Sequence, residues 1–149
     1  MIRTAHAAEA GAVRDIVNDA YRSYVPRIGK SPGPMLDDYS KRIAEGQVWV
    51  LDSSGGIAGI LVLEETSDGF LLDNIAVAPG QQGKGHGRVL LEFAEAEAAR
   101  CGWREIRLYT NALMTENIAL YTRIGYVETA RMTEKGFDRV YMVKRLAGP

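Results

Sequence analysis

Leu71-Leu72-Asp73-Asn74-Ile75-Ala76-Val77-Ala78-Pro79-Gly80-Gln81-Gln82-Gly83-Lys84-Gly85-His86-Gly87-Arg88 leads from a strand through a loop with three alternating glycines into the opening of a helix. Uncovered amides at a helix N-terminus, together with the positive end of its dipole, bind anionic phosphate well. Glycine lets backbone approach such a ligand and adopt dihedrals that other residues avoid. Lys84 and Arg88 add positive charge to the same stretch. Two familiar phosphate loops do not fit it. A P-loop needs Ser or Thr after the lysine, where Gly85 stands. A dinucleotide fingerprint needs a third glycine where Arg88 stands, and it belongs to a first βαβ unit.

Working outward, the segments on either side supply the fold class. Upstream, Gln47–Leu51, Ile57–Glu65 and Phe70–Val77 read as three strands. Ser53-Ser54-Gly55-Gly56 and Ser67-Asp68-Gly69 separate them as tight turns, which makes an antiparallel meander closed by Pro79. Before it, Ile2–Ala5 is a short strand, and Val13, Ile16, Val17, Ala20, Tyr21 and Tyr24 recur at helical intervals. Pro26 and the Gly29–Pro34 stretch are expected to end that helix, and a second is expected over Met35–Glu45.

Downstream, Gly85 to Cys101 is helical, with Leu90, Phe93, Ala94, Ala98 and Cys101 on one face. Glu105–Thr110 reads as a strand and Glu116–Ile124 as a helix capped by Gly125. Tyr126–Met132, the Glu134-Lys135-Gly136 turn and Arg139–Arg145 form a terminal hairpin. The expected order is β-α-α-β-β-β-α-β-α-β-β. That is a mixed α/β (α+β) class: a largely antiparallel sheet with helices on both faces. Residues 1–149 contain no repeat or linker, so one domain is expected.

Composition narrows the function. Formal net charge is −1, against a broad nucleic-acid-binding face. Cys101 is the single cysteine, which rules out an intrachain disulfide and suits a reducing cytoplasm. Two histidines, His6 and His86, are too few for a plausible zinc site, so no metal is expected. A cysteine hydrolase on Cys101 has no convincing histidine partner. No apolar run reaches the roughly 20 residues of a membrane span, and no secretory leader is evident, so a cytoplasmic protein without membrane partners is expected.

Two motifs then carry a resemblance. Val77-x-Pro79 followed by Gln82-x-x-Gly85-x-Gly87 resembles the acyl-CoA pyrophosphate loop of the GNAT superfamily, Q/R-x-x-G-x-G/A. Asn117-Ile118-Ala119-Leu120-Tyr121-Thr122-Arg123-Ile124-Gly125-Tyr126 is similar to that superfamily's later motif, an asparagine before a Leu/Phe-Tyr pair and then Gly-Phe/Tyr. The resemblance covers most of the chain and is weakest before Trp49. It implies an N-acetyltransferase that moves acetyl from acetyl-CoA to a primary amine by direct transfer through a tetrahedral intermediate, without metal.

The same resemblance implies the site. Backbone from about Gly83 to Arg88 would hold the pyrophosphate, with Gln82, Lys84 and His86 in the loop and Ile75, Ala76 and Val77 on the strand beside the cofactor. Asn117 would contact the pantetheine arm. Tyr121, four residues on and on the same helix face, would protonate the departing sulfur. By analogy the oxyanion donor belongs on the strand from Asp73 to Val77, with the Ile75 amide the candidate.

The general base is expected to be Asp73, in phase with Ile75 and Val77, because an unpaired buried carboxylate would be costly. Glu64 and Glu65 are the alternatives. Asn74, in the opposite phase, would orient the acceptor. The first helices and final hairpin, which build the acceptor pocket in that superfamily, offer Tyr21, Tyr24, Pro26, Met35, Asp38, Tyr39, Glu134, Phe137 and Asp138; of these Tyr24 and Glu134 are taken with Asn74 as acceptor contacts. A small-molecule amine is the expected partner, and a homodimer is compatible with the fold. The competing functions are a non-catalytic acyl-CoA-binding module, an acetyltransferase acting on a protein amino group, and a nucleotide-binding enzyme.

Overall fold

Seven β-rich segments pair into one sheet in the computed structural model, which describes residues 1–147. They are β1 (Ile2–Thr4), β2 (Val48–Ser53), β3 (Gly56–Thr66), β4 (Gly69–Val77), β5 (Glu105–Asn111), β6 (Val127–Glu134) and β7 (Phe137–Arg145). Their spatial order is β1-β2-β3-β4-β5-β7-β6, and only the β4–β5 pair is parallel. The helices are α1 (Ala10–Tyr21), α2 (Tyr24–Ile28), α3 (Tyr39–Ala44), α4 (His86–Arg100) and α5 (Thr115–Arg123).

The unbroken apolar run in β3 follows from burial on both faces. Ile60 and Val62 pack with Val13, Val17, Tyr21, Tyr39 and Ile43 of α1 and α3. Leu61 and Leu63 pack with Leu90, Leu91, Ala94 and Ala98 of α4 and with Ile106, Leu108 and Met142. The final hairpin turns through Lys135 (φ 53°) and Gly136 (φ 79°), the two positive dihedrals that a tight two-residue turn requires.

The expected order holds with one correction. Three α-helices, not two, lie between β1 and β2. Pro26 does not end a helix but sits in the first turn of α2, where its missing N–H costs nothing. The second expected helix is shorter than Met35–Glu45, because residues 33–36 form a separate 3₁₀ turn before α3.

The feature that positions the site is a break in β4. Pairing with β3 steps from Leu63↔Leu72 to Val62↔Asn74, which leaves Asp73 as the extra residue of a bulge. Parallel pairing with β5 ends at the same point, with Leu71↔Arg107 and Leu72↔Leu108 its only pairs. Beyond Leu72 and Leu108 the two strands separate, and a cleft opens between them.

Candidate functional site

The bulge changes which side chains share a face. In an unbroken strand Asp73 and Asn74 would point oppositely. Here both reach α3: Asp73 Oδ2 lies 3.3 Å from an Arg42 guanidinium nitrogen, and Asn74 Nδ2 donates to the Tyr39 hydroxyl at 2.9 Å. Asp73 is therefore not in simple phase with Ile75 and Val77, and it is not unpaired. Its other oxygen accepts from the Tyr109 hydroxyl at 3.3 Å. Burial pushes Asp73 above the ordinary carboxylate pKa, while Arg42 opposes that shift. Tyr109 is in turn pushed up to about 12, chiefly by burial.

Hydrogen-bond alternation frees one amide. Ala78 N–H donates to Ala58 O, so Ala58/Ala78, Ile60/Ala76 and Val62/Asn74 are the bonded pairs of β3 and β4. Leu61/Ile75 is then a non-bonded pair, and the Ile75 N–H and C=O face the cleft. The Ile75 carbonyl accepts from the Tyr21 hydroxyl at 3.1 Å, as this geometry requires. Tyr21 also donates to Asn74 Oδ1 at 2.8 Å.

Two cavities occupy the cleft. One, of about 360 Å³, runs along β4, the glycine loop and α5, and its wall includes Ile75, Ala76, Val77, Gln82, Gly83, Gly85, His86, Gly87, Asn117 and Tyr121. The loop thus meets the later motif in space. Gly83 and Gly85 each have φ +81°, and a Cβ on either would meet nothing within 4 Å. They supply conformation and open space, while the amides of His86, Gly87 and Arg88 precede the first helical bond, Val89 N–H to Gly85 O. Gln82 turns inward, its amide 3.4 Å from Val77 O.

Lys84 and Arg88 do not line this cavity. Lys84 reaches Gln81 at 3.4 Å, and Arg88 pairs along the helix with Glu92 at 3.2 Å. Their side chains therefore add no wall charge in this arrangement. Leu91 and Leu120 also line the cavity, Leu120 being the leucine of the later motif's Leu-Tyr pair.

The second cavity, of about 430 Å³, lies across the splay between β4 and β5 and is bordered by Pro32, Gly33, Pro34, Leu36 and the final hairpin. Its wall includes Asp73, Asn74, Tyr109, Phe137 and Arg139. Tyr21, Ile75 and Tyr121 belong to both cavities and mark where they meet. Tyr121 is buried, and burial raises its pKa, so its hydroxyl keeps its proton at neutral pH. Tyr126, the last residue of the later motif, packs edge-on against it with ring centroids 5.8 Å apart.

The chain matches the family described as acetyltransferase (GNAT) domain over residues 44–128. It belongs to the GNAT superfamily. That membership makes it an acyltransferase. Solved structures share the fold. Among them are yncA from Salmonella typhimurium with its cofactor acetyl-CoA (TM-score 0.73, 24% identity, 100% of this chain and 95% of that one) and the PaiA N-acetyltransferase from Thermoplasma acidophilum in complex with coenzyme A (0.78, 17%, 97% and 98%). Nourseothricin acetyltransferase matches at a TM-score of 0.61 and 24% identity, over 67% of this chain; the chain spans 65% of that protein's length. No curated protein matches the chain in sequence. No helix among the described residues is long and apolar enough to cross a membrane.

Several expected acceptor contacts of this GNAT chain lie elsewhere. Tyr24 faces the first cavity, with Arg27 stacked 5.2 Å from its ring centroid. Glu134 lies off both walls, accepts from the Tyr141 hydroxyl and pairs loosely with Arg139 at 3.6 Å. Asp38 caps α3 by accepting from Lys41 N–H, and Asp138 accepts from Thr133. Glu65 accepts from the Trp103 indole at 2.7 Å, and Glu64 is bound to Arg42 at 2.8 Å. The residues that sequence reasoning missed are Asp37, Arg42, Tyr109 and Arg139. Arg42 joins Asp37, Gln47, Glu64 and Asp73 through 2.8–3.3 Å contacts. The Glu64 and Asp73 contacts join α3 to β3 and β4 across 22 and 31 residues, and no local motif announces them.

Proposed function

We propose that this protein transfers an acetyl group from acetyl-CoA directly to the primary amine of a small molecule, with both substrates bound at once. The observation that carries the reading is the meeting of two cavities at Tyr21, Ile75 and Tyr121, one bounded by the glycine loop and the other by Asp73. The residues present fit the cofactor: three early amides of α4 lack helical partners, Gly83 and Gly85 leave room beside them, and Asn117 lies on the same wall. Acetyl-CoA, when bound, supplies an activated thioester carbonyl.

The chain's own groups account for the remaining chemistry. Asp73 takes a proton from the acceptor ammonium, and burial raises its basicity for the task. The Ile75 N–H, turned into the cleft, donates to the oxygen that becomes negative as the amine attacks. Tyr121, neutral and placed at the junction, gives its proton to the sulfur as the carbon–sulfur bond breaks. The second proton that the nitrogen loses as the amide forms restores the Tyr121 hydroxyl. Pro32, Pro34, Leu36 and Phe137 line the acceptor cavity, whose volume of about 430 Å³ suits a small amine.

The test is calorimetric titration with acetyl-CoA of the wild type and of Gly85→Asp and Gly87→Asp, followed by thiol release across an amine panel. Saturable binding that both variants lose, together with thiol release, is the expected result. A folded wild type that does not bind acetyl-CoA overturns the assignment. Binding without thioester consumption on any amine points to a non-catalytic module.

A further inference from the structure

The 430 Å³ cavity is electrically lopsided. At the α3–β4 end, Asp37 and Asp73 lie on the wall and Glu64 behind it, all three bound to Arg42. Three carboxylates against one guanidinium leave a formal −2 there, from +1 − 3. Arg42 spends four of its five N–H bonds on Asp37, Gln47, Glu64 and Asp73, so little of it remains for a substrate anion.

Another part of the wall is cationic. Lys135 and Arg139 line the wall there. Arg139 is largely buried, with 16% of its side chain exposed, and its guanidinium lies 4.4 Å from the Tyr109 ring centroid. Among the described residues its one carboxylate partner is Glu134, at a distance beyond a hydrogen bond. Glu134 is itself engaged by the Tyr141 hydroxyl. No carboxylate among the described residues pairs with Lys135. Asp138, between Phe137 and Arg139 on β7, is exposed and held by Thr133 at 2.6 Å, away from the wall.

One side chain joins the two ends. The Tyr109 hydroxyl donates to Asp73 while its ring carries the Arg139 guanidinium, so the rigid phenol sets the spacing between negative and positive groups. A largely buried guanidinium with a loose partner is suited to a carboxylate, which it can bind through two parallel hydrogen bonds. A simple cationic amine would satisfy the Asp73 end and leave the Arg139 end unanswered.

We infer that the acceptor is a primary amine that also bears a carboxylate, its amine directed to Asp73 and its carboxylate to Arg139 and Lys135. This inference rests on the acetyl-transfer reading above, and it assigns Arg139 as the residue that selects the acceptor class.

The test compares matched amines by thiol release with acetyl-CoA: phenylalanine against phenethylamine, lysine against cadaverine, and β-alanine against ethylamine. The carboxylate-bearing member of at least one pair is expected to have the higher kcat/KM by about ten- to hundredfold, the scale of a charge-assisted hydrogen bond. Arg139→Gln is expected to bring that ratio near unity, and Arg139→Lys to retain part of it. A purely structural role for Arg139 would lower both members alike and leave the ratio unchanged, which overturns the inference. If Arg139→Gln does not fold, Lys135→Gln must lower the same ratio. Amines without a carboxylate being used equally well or better also overturns it, as does saturable acetyl-CoA binding with none of the three amino acids turned over. In both cases the cofactor assignment stands. Failure of acetyl-CoA to bind removes the underlying reading instead.

Discussion

Replacing Arg42 by methionine removes the guanidinium that Asp37, Glu64 and Asp73 share. Asp73 has 10% of its side chain exposed, so its contact falls in the range of about 1.5–3 kcal/mol expected for a charged hydrogen bond. Asp37 and Glu64 are 24% and 33% exposed, and solvent screening brings each toward the ~0–1 kcal/mol of surface pairs. Together these give a loss of about 1.5–5 kcal/mol, whose upper part is comparable with breaking a buried ion pair. For a chain of 149 residues that lowers Tm by about 3–20 °C.

The sign of its pH dependence follows from Asp73. A carboxylate whose folded pKa lies above its unfolded value of about 3.9 costs stability when ionised, and the cost disappears as pH falls below the unfolded value. Arg42 holds the Asp73 pKa down, so Arg42→Met enlarges the cost. Thermal unfolding followed by circular dichroism should therefore show the larger deficit at about pH 8 and a smaller one at about pH 5. Arg42→Met/Asp73→Asn should recover part of the loss. A Tm change below about 3 °C at the higher pH, or an equal deficit at both, refutes the charge account.

Tyr121→Phe is expected to lower kcat by about 10²–10⁴-fold while acetyl-CoA affinity in calorimetry stays within about twofold; unchanged turnover removes Tyr121 as the proton donor. The kcat/KM profile should fall on its acid side as Asp73 protonates, above the ordinary carboxylate pKa of about 3.9, and Asp73→Asn should abolish both this limb and most activity. An acid limb that persists in an active Asp73→Asn enzyme assigns the base elsewhere. Gly59→Ala would place a Cβ 2.9 Å from Leu90 Cδ1 and 3.1 Å from Ala76 O, against a backbone atom with little freedom to yield. The overpacking cost of about 1–3 kcal/mol should appear as a Tm lower by about 2–12 °C, and an unchanged Tm would mean that α4 adjusts freely over β3.

Local chemistry made much of this protein legible from its sequence. The meander, the glycine loop with the helix it opens, and the Asn117–Tyr121 pair all depend on residues a few positions apart. Turn residues, hydrophobic period and the four-residue helix spacing determine them before any distant contact forms. The wall shared by the glycine loop and α5 could be anticipated only through family resemblance, since 32 positions separate Gly85 from Asn117.

The acceptor side was decided by tertiary structure. Period-two extrapolation placed Asp73 with Ile75 and opposite Asn74, but one extra residue in the β3–β4 ladder turned Asp73 toward α3 with Asn74. Arg42 and Tyr109 reach Asp73 across separations of 31 and 36 residues, and Arg139 reaches Tyr109 only because β5 and β7 are neighbours. Tyr24 and Glu134, plausible acceptor contacts by composition, were carried elsewhere by the ends of their elements. A sequence specifies where a strand begins and which residues it contains. The charge a cavity presents depends on register, on bulges and on which strands become neighbours, and those are settled when the sheet closes around its two cores.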